Sequence, residues 1–225
     1  MIIGNGLVAN AFREHDRENV VFFASGVSNS LEKDEAQFQR EEDLIRKTIS
    51  ENPDVLFVYF SSCSIYDSSK IDSHYVNHKL NMEHLIATEN DKYLIARVSN
   101  AVGKGGNQNT LINYLINSIQ NQVEIKVHID ATRNQIDVYD VTQIILGLID
   151  SNKLNKIVNV AYVNNYPILE IITIVEEFLG KKGNLILEKK GQGYSIDIPD
   201  AMGYFKQNNL LDREKYLQGI LQKYY

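Results

Sequence analysis

Apolar residues recur along this chain with two periods, and the alternation between them predicts strands separated by helices. Short β-branched or aromatic runs bounded by turn-forming residues read as buried strands, namely Met1 to Ile3, Val20 to Phe23, Val55 to Phe60 and Lys92 to Arg97. Val123 to Val127 alternates and reads as a half-buried strand. Between them lie helical patterns. Leu7, Val8, Ala11 and Phe12 follow the first strand, and Phe38, Leu44, Ile45 and Ile49 line one side of a charged stretch from Glu35 to Ser50. Pro53 ends that helix. Residues 74–88 have helical spacing, as do Thr110 to Gln120 and the stretch from Pro167 to Leu179, which closes at Gly180. The tail from Gly191 to Tyr225 is polar and partly helical, with Leu210, Leu211, Tyr216, Leu217 and Leu221 free to pack.

Two places on this framework carry chemistry. The first strand turns into its helix through Gly4-x-Gly6-x-x-Ala9. Such glycines let backbone approach a pyrophosphate, and the helix N-terminus supplies free N–H groups. An ordinary glycine turn has the same spelling. The second place is Phe60-Ser61-Ser62-Cys63-Ser64-Ile65-Tyr66, where hydroxyls begin as an apolar strand stops. Open α/β sheets bind ligands at the carboxyl ends of their strands. Tyr75 and Lys79, four apart, share a helix face. A phenol titrates near ~10, and a fixed ammonium beside it favours phenolate, as acid–base work near neutral pH needs. The same pair also describes a solvated lysine beside a half-buried tyrosine.

Taken together, strand, Ser-Ser-x-x-Ile-Tyr and Tyr-x-x-x-Lys, with Glu83 four residues on, resemble the extended short-chain dehydrogenase/reductases, the NAD-dependent epimerase/dehydratase family. Further motifs follow in the family's order: Arg97-x-x-Asn100-x-x-Gly103, Arg133-x-x-Ile136-x-Val138-x-Asp140-Val141, and the late strand Lys156 to Ala161. The resemblance implies an α/β fold, a Rossmann-like parallel sheet with a small C-terminal substrate lobe drawn from residues 100–130 and 162–225 of one domain. It implies Ser62, Tyr75 and Lys79 as catalytic residues. Gly4, Gly6, Leu7, Val8, Ala24, Ser25, Gly26, Tyr75 and Lys79 would hold NAD or NADP, and Ser64, Asn100 and Arg133 a nucleotide-sugar substrate. A guanidinium suits the substrate diphosphate because it donates a planar fork to phosphate oxygens. Asp140 reads as the N-cap of the next helix. The family often dimerises through a four-helix bundle, here the helices at 35–50 and 74–88.

The chain departs from the family in three ways. No acid follows the glycines by about 20 residues to hold an adenosine ribose. Instead Val20 to Phe23 leads into Ala24, Ser25 and Gly26, like the family's fourth strand, as though a strand–helix–strand unit were missing. Glu41 stands where the family has an asparagine, and the loop between Ser62 and Tyr75 is short. These departures favour a catalytically weak or silent relative that binds a nucleotide or sugar nucleotide as sensor or partner subunit. The Ser62–Tyr75–Lys79 set favours the enzyme.

Bulk composition narrows the classes further. At 225 residues, with 23 Lys+Arg against 29 Asp+Glu, the chain is mildly acidic and has no basic block for nucleic acid. A single cysteine, Cys63, excludes an internal disulfide framework and a cysteine-rich metal site, and no metal ligands are assigned. Cys63 reads as a small buried residue. No apolar stretch approaches the ~18 residues of a membrane span, and the start has no basic signal region, so a cytoplasmic location is expected.

Overall fold

A computed structural model of the chain describes residues 1–105 and 110–225. In chain order the elements are β1 (Ile2–Ile3), α1 (Leu7–Ala11), β2 (Val20–Phe23), α2 (Glu35–Glu51), β3 (Leu56–Ser62), α3 (His74–Glu89) and β4 (Tyr93–Val98). There follow β5 (Asn100–Val102), α4 (Leu111–Gln120), β6 (Glu124–His128), β7 (Thr132–Arg133), β8 (Gln135–Asp137), α5 (Val138–Asp150) and β9 (Lys156–Val160). The chain ends with β10 (Tyr166–Pro167), α6 (Ile168–Leu179), β11 (Asn184–Glu188), α7 (Met202–Gln207) and α8 (Arg213–Tyr224).

The core is a five-stranded sheet, ordered β1-β2-β3-β4-β9 and parallel at each pairing. Its strands are β-branched and aromatic, and successive side chains enter opposite layers. Val20, Phe22, Leu56, Val58, Leu94 and Ala96 pack with Phe12 and the α5 residues Val141, Ile144 and Ile145. Val21, Phe23, Phe57, Tyr59 and Ile95 pack with Ile45 and Ile49 of α2 and with Met82, Leu85 and Ile86 of α3. Helices thus cover both faces, as parallel sheets require.

The topology bears directly on the missing unit. Every step from β1 to β9 moves the same way across the sheet. Yet the steps through α1 and α5 cross one face, and those through α2 and α3 cross the other. Steps in one direction over opposite faces have opposite hand, whereas such crossovers are almost always right-handed. A strand pair outside β1 would reverse the direction of the first step and remove its conflict. Among the described residues no strand pairs with that outer edge, and β1 is a two-residue edge strand.

Beyond the core, β6 and β11 form a parallel pair, β5 pairs with β8 and β7 with β10. Aromatic residues tie the tail down, with Tyr162 stacked on Tyr216 at 3.9 Å between ring centroids. The N-cap of α5 is Asp137, whose carboxylate accepts from Tyr139 N, and not Asp140 as the sequence suggested. Asp140 lies one turn into the helix and accepts from the Tyr204 and Tyr216 hydroxyls, each at 2.6 Å. Burial raises its pKa and those two bonds oppose the rise. Asp137 also accepts from Tyr224 Oη at 2.5 Å and Lys223 Nζ at 2.8 Å, so two acids at the start of α5 anchor the C-terminal helices. Residues 106–109, within the range assigned to the substrate lobe, lie outside the described residues.

Candidate active site

The site begins at the carboxyl end of β3, where alternation sends Ser61 and Ser62 to opposite sides. Ser61 is buried and donates to Glu83 Oε1 at 2.5 Å. Glu83, on α3, receives Arg97 from β4 through Nε at 2.9 Å and Nη2 at 2.6 Å. Burial disfavours the Arg97 charge, but Glu83 overrides it and lifts the pKa above the ordinary range. Arg97 Nη1 donates to Tyr66 Oη, which donates to Asn159 Oδ1 at 2.9 Å. Cys63 is buried and its thiol donates to Arg97 O at 3.0 Å. Burial pushes its pKa to about 12, so it is inert as a nucleophile near neutral pH. Ser62 is half-buried, and its oxygen accepts from Ser64 N at 3.1 Å, starting a short 3-10 turn. The other predicted substrate residue, Ser64, is half-buried in that turn.

Ser73 caps α3 by accepting from Val76 N, which sets Tyr75 and Lys79 on the first turns. Both are buried, at 6% and 2% exposure, so the solvated-lysine alternative does not hold. Tyr75 packs with Val27, Phe38 and Val76. No hydrogen bond among the described residues occupies its hydroxyl. Lys79 Nζ lies 5.8 Å from the Tyr75 ring centroid and 5.1 Å from that of Tyr59. It donates to Glu41 Oε1 at 2.9 Å and Tyr59 Oη at 3.0 Å. An ammonium has three donors, so one remains.

Glu41 is fully buried and organises this cluster. Its Oε1 also accepts from Tyr59 Oη at 2.6 Å, and its Oε2 accepts from Val27 N at 2.6 Å and faces His78 Nε2 at 3.0 Å. Burial alone would raise the carboxyl pKa. His78, Lys79, Tyr59 and the Val27 amide together outweigh it and hold the value at about 2. The residue that the sequence marked as a departure therefore braces the predicted catalytic lysine. Gly26 closes over the pair, since a Cβ there would lie 2.5 Å from Lys79 Nζ and 2.7 Å from Glu41 Oε1.

At the chain start, Gly4 adopts φ +127°, and a Cβ on it would stand 2.4 Å from Ala24 O. Only glycine lets this turn press on the end of β2. Gly6 caps α1, with nothing within 4 Å of the place a Cβ would take. Helix α1 runs for five residues, Leu7 and Val8 forming its start, so its dipole is short. Ser25 is held by Arg40, whose Nη2 donates to its carbonyl at 2.9 Å.

On the opposite flank, Asn100 Nδ2 donates to Asn134 O at 2.7 Å. Asn134 is the hub that sequence reasoning missed, a buried amide bonded to Ser99, Tyr162 and Asn165. Its only sequence signal was its place beside Arg133. Arg133 spends one donor on Thr132 O at 2.8 Å and, among the described residues, forms no ion pair. No group of His, Cys, Asp and Glu among the described residues could hold a metal ion, and no described helix is long and apolar enough to cross a membrane.

Comparison with known proteins bears on the family and the fold. The model of the NAD dependent epimerase/dehydratase family matches residues 4–161. Among curated proteins none matches. Similar solved structures include RMD from Pseudomonas aeruginosa complexed with NADPH, at 20% identity and TM-score 0.67, covering 91% of this chain and 80% of that one. UDP-galactose 4-epimerase is similar at 15% identity and TM-score 0.73, covering 92% and 77%. UDP-glucuronic acid 4-epimerase from Bacillus cereus, in complex with UDP-glucuronic acid and NAD, is similar at 16% and 0.70, covering 96% and 79%. At these identities the likeness shows the Rossmann-like fold, and the family match over most of the chain shows the lineage. The chain is a shortened member of the NAD-dependent epimerase/dehydratase family.

Proposed function

We propose that the protein is an NAD(P)-dependent enzyme acting on a nucleotide-activated sugar, by epimerisation, reduction or dehydration. The observation that carries this reading is the buried Glu41–Lys79–Tyr59 cluster beneath Tyr75. A buried lysine is costly unless paired, and here the pairing leaves one ammonium donor and the Tyr75 hydroxyl without partners among the described residues. A nicotinamide cofactor, when bound, accepts or returns hydride at a sugar carbon. Tyr75 moves the proton of the reacting hydroxyl. Ser62 uses its oxygen for Ser64 N and keeps its O–H for the same substrate oxygen. Lys79 would offer its third donor to the cofactor ribose and place a positive charge near Tyr75.

The residues fit one half of a dinucleotide. Gly6 leaves an open approach for a pyrophosphate while Gly4 folds the turn onto Ala24, and Ala24, Ser25 and Gly26 follow the end of β2, with Gly26 against Lys79. Among the described residues no strand outside β1 offers an acid to an adenosine ribose. Weak dinucleotide binding with little choice between NAD and NADP belongs to the proposal. So do Arg133 on the substrate diphosphate, Asn100 and Ser64 beside the sugar nucleotide, and a homodimer through α2 and α3. Lys79 already spends two donors inside the protein, and that observation favours the second reading, a silent relative that binds a nucleotide.

Turnover decides between them. The protein would be incubated with NAD or NADP and a panel of uridine, thymidine and guanosine diphosphate sugars, with products separated by chromatography. Conversion by the native chain and not by Tyr75→Phe supports the enzyme. Binding of a sugar nucleotide without conversion of any supports the silent relative.

A further inference from the structure

The shortened loop between Ser62 and Tyr75 brings a second cation to the neighbourhood of Arg133. Its 3-10 turn, Ser68–Lys70, is capped by the buried Asp67, which accepts from Ser69 N at 3.1 Å and from Ser69 Oγ at 2.6 Å. The turn is closed by Lys70 N on Asp67 O and Ser73 N on Lys70 O. Lys70 is half-buried and, among the described residues, its Nζ donates only to Ser30 Oγ, at 3.1 Å.

A strap from the C-terminal part of the chain joins this turn to Arg133. Gln192 Oε1 accepts from Ser68 Oγ at 2.5 Å, two residues from Lys70. A Cβ on Gly191 would lie 2.7 Å from the Ala131 Cβ, and one on Gly193 3.1 Å from Thr132 Oγ1, beside Arg133. The strap Gly191–Tyr194 thus touches the neighbours of both cations. Asn165 Nδ2 fixes its far end by donating to Tyr194 O. Electrostatics agree with this closeness: burial and then the Arg133 charge lower the Lys70 pKa against Asp67, and Arg133 opposes the burial that raises Tyr194. Among the described residues neither cation has a carboxylate within ion-pair distance. Two half-buried positive groups, neither in an ion pair among the described residues and with only the Asp67 carboxylate acting on Lys70 from a distance, describe a place for an anion carrying more than one charge.

The geometry points to Lys70 as a second phosphate-binding residue, which with Arg133 and under the strap Gly191–Tyr194 takes the diphosphate of a nucleoside diphosphate. This rests on the sugar-nucleotide reading only for the nucleoside part; the pair of cations is a claim of its own. Calorimetry with inorganic pyrophosphate and with uridine diphosphate tests it, on the native chain, Lys70→Met and Lys70→Arg, each checked for an unchanged melting temperature. Lys70→Met should weaken both ligands by about 10- to 150-fold, the range of a charge-assisted bond, and Lys70→Arg should restore most of the loss. That result with uridine diphosphate bound no better than pyrophosphate upholds the anion site while the sugar-nucleotide reading fails. Uridine diphosphate bound equally by all three proteins overturns the role of Lys70 and leaves that reading standing.

Discussion

Replacing Glu41 with glutamine removes one buried charge and leaves the side-chain shape. The carboxylate is held at about 2 against an ordinary 4.5. At about 1.4 kcal/mol per factor of ten, that difference contributes about 3 kcal/mol of stability at neutral pH. An independent route gives a similar figure, because stripping one partner from a buried ion pair costs about 3–5 kcal/mol. For a chain of this size the melting temperature should fall by about 10 °C. The sign in pH follows from the lowered value. A carboxyl with a depressed folded pKa stabilises the protein above its unfolded value of 4.5, and the contribution disappears as pH falls through about 2. Urea unfolding of the native chain and Glu41→Gln, from neutral pH down to acid, should therefore show a gap that closes as the pH drops below the unfolded value. A gap under about 1 kcal/mol at neutral pH, or one constant into acid, would refute the role given to this carboxylate.

Other expectations are independent of that one. Tyr75→Phe should lower kcat by about 10²- to 10⁴-fold with an unchanged melting temperature; unaltered turnover would remove Tyr75 from the chemistry. Arg133→Ala should weaken a nucleoside diphosphate by about 10- to 150-fold and leave nicotinamide mononucleotide untouched in calorimetry. Equal losses for both ligands would place the diphosphate elsewhere. Tyr216→Phe takes one of two hydroxyl bonds from the buried Asp140 carboxylate, and denaturant unfolding should show a loss of about 1.5–3 kcal/mol. A change within error would mean that Asp140 does not anchor the C-terminal helices.

Much of this was legible in the sequence because it rests on local pattern. Val55 to Phe60 reads as a buried strand on composition alone, and the spacing of Tyr75 and Lys79 fixes a shared helix face before any packing is known. Even the missing unit was visible, since Val20 to Phe23 ends in small residues where an acid was due; the sheet order gives its topological reason. What the sequence hid depends on residues distant in the chain. Glu41 looked like lost support until the fold brought Val27, Tyr59, His78 and Lys79 onto its two oxygens. The N-cap of α5 was misplaced because Asp137 and Asp140 stand one turn apart, and which one caps is decided by where the backbone turns out of β8. Lys70 sat in a short polar loop with no motif, and only the strap from Gly191 to Tyr194 gives it a context.

At the centre of the proposed function is a Rossmann-like site that would keep the nicotinamide half of its cofactor contacts without the adenosine half. Titrating NAD, NADP and nicotinamide mononucleotide into the native chain and into Lys79→Met tests it most directly. A lost carboxylate–ribose contact alone removes about 1.5–3 kcal/mol. NAD and NADP should therefore bind weakly and alike, within about tenfold of nicotinamide mononucleotide, and all three should weaken together in Lys79→Met. Tight binding of one dinucleotide, strongly preferred over the other and over the mononucleotide, would contradict the claim and show that another segment rebuilds the adenosine site.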